Sequence, residues 1–186
     1  MSARFDSAFD FLAQARSKSV FRAKLNFMPT IEIGETIPAA PEAVFELLHD
    51  YSRRLEWDTL LQEAYLEPPF QKAERGAISV CRGKAILGGF ALRTQYVTFE
   101  PGVVAAIKML NRPPFFDTFA ASIRHLPLAD NLSEVIYKVN FTAKPASLRF
   151  VLHPIMSRVF ALETRKCLRA LKKFFENKAN DDKSNG

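Results

Sequence analysis

The segment 148–175 constrains the fold more than any other part of the chain. Its apolar residues Leu148, Val151, Leu152, Ile155, Met156, Val159, Phe160, Cys167, Leu168, Leu171, Phe174 and Phe175 recur at three- and four-residue steps, the pattern of a helix that buries one face. Between Ile31 and Ala143 what looks regular reads as strand instead, apart from one short segment near Pro41. A single long helix following a run of antiparallel strands must lay its stripe on the concave side of their sheet, an arrangement that leaves room for a cavity. The expected fold class is α+β: a curved seven-stranded antiparallel sheet gripping a long C-terminal helix, with two short helices after the first strand.

Strands are expected at 30–37, 61–67, 77–84, 90–100, 103–110, 115–126 and 134–143, because turn residues bound them. Pro38 ends the first, Pro68 and Pro69 the second, Gly88-Gly89 opens the fourth, Pro101-Gly102 closes it, and Asp130-Asn131 turns the chain into the last. The short connections imply a meander of antiparallel neighbours. Pro41 suits the first position of a helix, with Glu42 in its first turn and Ala43, Val44, Leu47 and Leu48 on its apolar face. A second short helical turn is expected over 53–57.

A length of 186 residues suits one domain that buries roughly 70% of its unfolded surface without a disulfide or metal. Residues 28–178 are expected to form it. Residues 1–27 read as an extension, part helical through Phe5, Phe9, Leu12, Ala15 and Arg16 and broken at 17–19, that packs against the domain body; residues 179–186 read as a disordered polar tail. Cys81 and Cys167 are expected to be buried reduced thiols. No apolar run approaches the roughly 18 residues of a spanning helix, and the start of the chain lacks a compact hydrophobic core with a small-residue cleavage site. The expected location is cytoplasmic.

The net charge of +6 belongs to the two ends: residues 148–178 carry +6 and residues 1–27 carry +3, against −2 for 28–147 and −1 for the tail. A solvated outer helix face accounts for this. Arg165, Arg169, Lys172 and Lys173 can nevertheless share one outer face, so weak, salt-sensitive contact with an anionic membrane surface is expected, and nucleic acid is not.

Alternation assigns the sheet faces. Val135, Tyr137, Val139 and Phe141 should point toward the helix while Glu134, Lys138 and Asn140 point away; Lys108 outward sends Ala105, Ile107 and Met109 inward. Ala105 is small, as are Ala120, Ala121 and Ser122 in the next strand, which leaves space beneath the helix. Catalytic patterns are missing around His49, His125, His153 and both cysteines: there is no nucleophile elbow, no zinc-ligand spacing and no phosphate loop. No metal or cofactor is expected. The polar groups expected nearest the cavity are Tyr137, Asp117, Arg124 and His125, of which Asp117 and His125 share one phase with Phe119 and Arg124 has the other.

The stretch Ile37-Pro38-Ala39-Ala40-Pro41-Glu42-Ala43-Val44-Phe45-Glu46-Leu47-Leu48-His49-Asp50, with Glu56-Trp57-Asp58 beyond it, resembles the START-related, helix-grip (SRPBCC) superfamily in its polyketide cyclase/dehydrase and lipid-transport branch. The likeness covers about 30–177, and the family tolerates a proline such as Pro154 within the terminal helix. It implies a deep, mainly apolar cavity between sheet and helix that takes lipids, sterols, polyketides, plant hormones or quinones. The ligand-contacting residues are then expected to be Ala105, Ile107, Met109, Phe119, Ala121, Tyr137, Val139, Phe141, Met156 and Phe160. Binding or transport of an apolar small molecule is the expected function rather than catalysis. The alternatives are an aromatase/cyclase-type enzyme using Asp117, Tyr137 or His125 on a polyketide-like substrate, and a non-catalytic interaction module docking through its basic helix.

Overall fold

In a computed structural model of the chain, which describes residues 28–84 and 89–184, the elements run β1 (Thr30–Ile37), α1 (Pro41–His49), α2 (Arg54–Trp57), β2 (Leu61–Leu66), β3 (Ile78–Gly83), β4 (Ala91–Glu100), β5 (Val104–Met109), β6 (Phe116–Ala129), β7 (Leu132–Ala143) and α3 (Arg149–Ser184). A 3₁₀ turn at Ala146–Leu148 leads into α3. The helical reading of 1–27 and Gly88 of the expected Gly88-Gly89 turn lie outside the described residues. The seven strands form one sheet in the order β1-β7-β6-β5-β4-β3-β2, and every neighbouring pair is antiparallel. The meander is therefore continuous from β2 to β7, and β1 closes onto the last strand, Thr30 opposite Asn140 and Ile37 opposite Ser133.

Local chemistry explains the helix starts. Ala40 is extended (φ −61°, ψ 146°) and offers no side-chain cap, so α1 begins on Pro41, whose missing N–H costs nothing in the first turn, with Glu42 against the positive end of the helix dipole. The helix α3 runs through Pro154 as one element, giving up one backbone hydrogen bond there. There Arg149 Nε donates to the Ala143 carbonyl at 2.8 Å and the Ala143 N–H donates to Nε2 of His153 at 3.2 Å, tying the end of β7 to the beginning of the helix. Farther on, α3 continues past Lys178 to Ser184, where the sequence suggested a disordered tail.

Alternation works as expected in β7, where Val135, Val139 and Phe141 are buried and Lys138 is exposed, and in β5, where Ala105 is buried and Lys108 exposed. In β6 it needs two corrections. Ala120 is exposed and Ser122 lies on the same outer face, so of the three small residues only Ala121 looks inward, with Phe119, Ile123 and His125. The register also shifts between Phe116 and Thr118, and this bulge brings Phe116 and Phe119 together, ring centroids 6.3 Å apart, while Asp117 turns to an ion pair with Arg149 at 2.9 Å.

The helix stripe behaves differently at its two ends. Leu168, Leu171 and Phe175 pack with Ile33, Ile37, Val44, Leu48, Trp57 and Val135 into the main core, where Leu168 and Leu171 are 0% exposed. Toward the start of α3 the expected buried face is open: Ile155 is 54% and Val159 50% exposed, and Leu148 and Val151 are exposed too. This half of the helix stands off the sheet. Removing packing atoms should therefore matter far more at the far end than on this exposed stripe. Leu171→Ala is expected to lower unfolding stability by about 2–5 kcal/mol, and Val159→Ala by no more than about 0.5 kcal/mol, in urea titrations of both variants.

Candidate functional site

Between the raised half of α3 and the concave sheet lies a cavity of about 510 Å³. Apolar side chains form most of its wall: Leu92, Ala105, Ile107, Phe116, Phe119, Ile123 and Val139 from the sheet, and Leu152, Met156 and Phe160 from the helix. Phe119 and Phe160 stack at 5.6 Å, and Phe116 meets Phe160 edge-on at 5.7 Å. Ile155 and Val159 also border the cavity while standing half exposed, and Phe115, held at φ 68°, adds an exposed aromatic ring. Its conformation is one that non-glycine residues adopt at a cost of order 1 kcal/mol, so the turn before β6 holds this ring in place against local preference.

The expected contact residues divide into two groups. Ala105, Ile107, Phe119, Tyr137, Val139, Met156 and Phe160 border the cavity, whereas Met109, Ala121 and Phe141 pack in the apolar cluster behind it. Of the expected polar groups only Tyr137 borders it. Asp117 is engaged by Arg149, Arg124 is exposed on the outer face, and His125 is buried edge-on to Phe45 at 5.1 Å.

The sequence reading missed a polar cluster that α1, α2, β3, β4 and α3 assemble at one end of the cavity. Arg54 and Asp58, one helical turn apart, form an ion pair at 2.9 Å with side chains only 13% and 3% exposed. Arg54 also donates to the Leu48 carbonyl at 2.7 Å, while Asp58 accepts from the Leu60 N–H at 3.2 Å and from the Cys167 thiol at 3.5 Å. Beside them the Tyr96 hydroxyl bonds Nδ1 of His49 at 2.8 Å and the Tyr51 hydroxyl at 3.1 Å, and Ser79 bonds Thr94 at 2.8 Å. The i, i+4 spacing of Arg54 and Asp58 was the available signal; nothing local showed that Cys81, Tyr96 and Cys167 would join them.

Burial fixes the protonation of this cluster. Desolvation, helped by Asp58, pushes the Cys167 thiol up to about 12, and desolvation likewise raises Cys81, Tyr51, Tyr96 and Tyr137, so all five stay protonated near neutral pH. Burial on its own would weaken the Arg54 guanidinium's hold on its proton, but the Cys167 and Asp58 groups beside it leave that hold stronger than usual. The cluster combines protonated hydroxyls and thiols with one ion pair, and among the described residues it holds no activated nucleophile.

The two buried histidines lie near it with ring centroids 6.5 Å apart. Burial first, then Arg54 and His125, lowers His49, and burial pushes His125 down to about 4. Neither nitrogen of His125 has a hydrogen-bond partner among the described residues. Between its ordinary 6.5 and about 4 the unfolded chain takes up a proton that the folded chain refuses, so native stability falls as pH drops through that window. His125→Phe should remove this loss and leave no polar atom unpaired. Urea unfolding at about pH 7 and about pH 5 is expected to show a stability difference smaller by on the order of 1 kcal/mol than in the parent, with no stability lost at the higher pH.

Comparison with known proteins agrees with this architecture. The family model described as polyketide cyclase / dehydrase and lipid transport matches residues 28–176. Comparison with curated proteins returns no match. Among solved structures, a START superfamily protein from Mycobacterium smegmatis superposes with a TM-score of 0.67 at 11% identity, covering 80% of this chain and 97% of that one. The Zhui aromatase/cyclase from Streptomyces sp. R1128 superposes with a TM-score of 0.70 at 14% identity, covering 82% of this chain and 96% of that one. A solution structure from Thermobifida fusca gives a TM-score of 0.58 at 20% identity, covering 80% and 93%. These structures share the seven-stranded START-like fold, and with the match running from before β1 deep into α3, the chain belongs to the polyketide cyclase/dehydrase and lipid transport family.

Proposed function

We propose that this protein binds and carries an apolar small molecule, such as a lipid, a polyketide or a quinone-like compound, in the space beneath the first half of α3. The observation that carries this reading is the stand-off of that half of the helix. A stripe that could have packed onto the sheet instead spans a space of about 510 Å³, within the range of small-molecule sites and walled chiefly by apolar groups. Half-exposed apolar side chains at Phe115, Ile155 and Val159 supply an apolar rim at which such a molecule can enter. A scaffold module with a filled core accounts for neither feature.

A second reading, an aromatase/cyclase-type enzyme on a polyketide-like substrate, is favoured by Tyr137 and by the likeness to the Zhui aromatase/cyclase. Tyr137 borders the cavity, and desolvation keeps its hydroxyl protonated, so it suits proton donation or hydrogen bonding to a carbonyl. The weak membrane contact is proposed for Arg165, Arg169 and Lys173, which are exposed; Lys172 is taken by Glu35 at 2.9 Å.

Filling the cavity tests the carrier reading. Ala105 borders the cavity but is only 1% exposed and packs with Phe45, Ala77 and Tyr96, so a large side chain there also risks overpacking; Ile107 borders the same space and is only partly buried, which makes it the cleaner position for an indole. Titration with the neutral fluorophore N-phenyl-1-naphthylamine is expected to show saturable binding by the parent, at least about tenfold weaker binding by Ile107→Trp, and unchanged binding by Lys108→Trp on the opposite face. No binding by the parent, or parent-like binding by Ile107→Trp, refutes a ligand in this cavity. Tyr137→Phe separates the two readings: loss of turnover on an aromatic polyketide analogue with fluorophore binding intact would establish the enzyme.

A further inference from the structure

We infer that the ligand carries an uncharged hydrogen-bonding head group, a hydroxyl, phenol or ketone, seated at the polar end of the cavity beside Tyr137, Arg54 and Glu163, and that molecules ending in a carboxylate or phosphate are selected against. This inference rests on the carrier reading above and specifies which ligands it admits. Its basis is the charge balance of the wall. Among the described residues, three charged side chains border the cavity: Arg54, Asp58 and Glu163. The guanidinium is matched at 2.9 Å by Asp58, and its Nη1 is committed to the Leu48 carbonyl. Glu163 meets Lys166 at 2.9 Å through Oε1, while its Oε2 is buried with no partner. A second anion would therefore meet two carboxylates and one cation whose charge is already matched, in a place shielded from water, where unpaired charge is strongly disfavoured.

An uncharged head meets the opposite situation. Tyr137 lines the wall, and its hydroxyl, which stays protonated, can donate to a ketone or accept from a hydroxyl. Glu163 Oε2 can accept from a hydroxyl or phenol, and Glu163 lies one helical turn from Cys167, which joins the Arg54–Asp58 pair. One donor-acceptor group and one pure acceptor thus wait at the same end, while the apolar remainder of the cavity takes the hydrocarbon body.

The test uses two probes of equal chain length, dodecanol and dodecanoate, displacing N-phenyl-1-naphthylamine from the full chain near neutral pH, where the acid is ionised. The parent is expected to bind dodecanol at least about tenfold more tightly than dodecanoate. Asp58→Asn leaves Arg54 unmatched while keeping an acceptor for the Leu60 N–H, and should reverse the preference by strengthening dodecanoate about tenfold or more. Should that variant fail to fold, Glu163→Gln is expected to reduce the preference for dodecanol in the same direction. Equal binding of both probes by the parent, or tighter binding of dodecanoate, overturns the inference and leaves the carrier reading standing. If the parent binds neither probe nor fluorophore, the carrier reading fails and this inference with it.

Discussion

One helix cannot cover a seven-stranded sheet. With about 4.8 Å between strands the sheet spans about 30 Å, whereas a helix with its side chains is about 10 Å wide. Curling the sheet reduces the mismatch without removing it, and the chain resolves the remainder unevenly. The far half of α3 meets α1, α2 and β1 in a close-packed core around Leu168, Leu171 and Trp57. With α1 and α2 confined to that end, nothing from them fills the other half, so the unmatched area becomes the space beneath Leu152, Met156 and Phe160. The cavity follows from an arithmetic of widths, and its position from which end of the helix the short helices support.

The polar end of that cavity is costly to build. A buried Arg–carboxylate pair loses hydration from both partners, and its mutual attraction offsets the loss only when the remaining hydrogen-bonding positions are filled. Here they are filled largely from the backbone, by the Leu48 carbonyl and the Leu60 N–H, so the pair is fixed by the turn between α1 and β2 and needs no ligand to complete it. A well-packed apolar end would be at least as stable. On the inference drawn above, the polar cluster contributes selectivity rather than stability, because a hydrocarbon end placed there would leave Glu163 Oε2 unpaired while a hydroxyl would not.

The sequence made the scaffold readable where a single period governs each element. Two-residue alternation placed Val135, Val139 and Ala105 inward, and the Pro41-Glu42 start placed α1, because these signals depend on neighbours along the chain. The site was less readable for three separate reasons. The bulge at Asp117 inverts the phase of the residues before it, so Phe116 faces the cavity in place of Asp117. The helix stripe states which residues share a face but not what that face meets, which is why Ile155 and Leu171 look equivalent in sequence and differ in burial. The polar cluster draws on several elements far apart in sequence, and only the Arg54–Asp58 spacing lies within one of them.

The division of α3 also separates what stabilises the protein from what, on the carrier reading proposed above, would admit a ligand. Burial at Leu168 and Leu171 contributes on the order of 2 kcal/mol per side chain and does not depend on the cavity's being occupied. The first half of the helix contributes less, since one side of it faces solvent at Val151, Ile155 and Val159 and the other faces open space at Leu152 and Met156. It is anchored instead at its start, by Arg149 to Ala143 and Asp117 and by His153 to the Ala143 N–H. A helix held at its start by polar bonds and along its far half by packing has its least supported turns between, over the entrance beside Ile155 and Val159. Small displacements of those turns sacrifice little buried area, so on the proposed carrier reading an apolar molecule would pass there without the main core being disturbed.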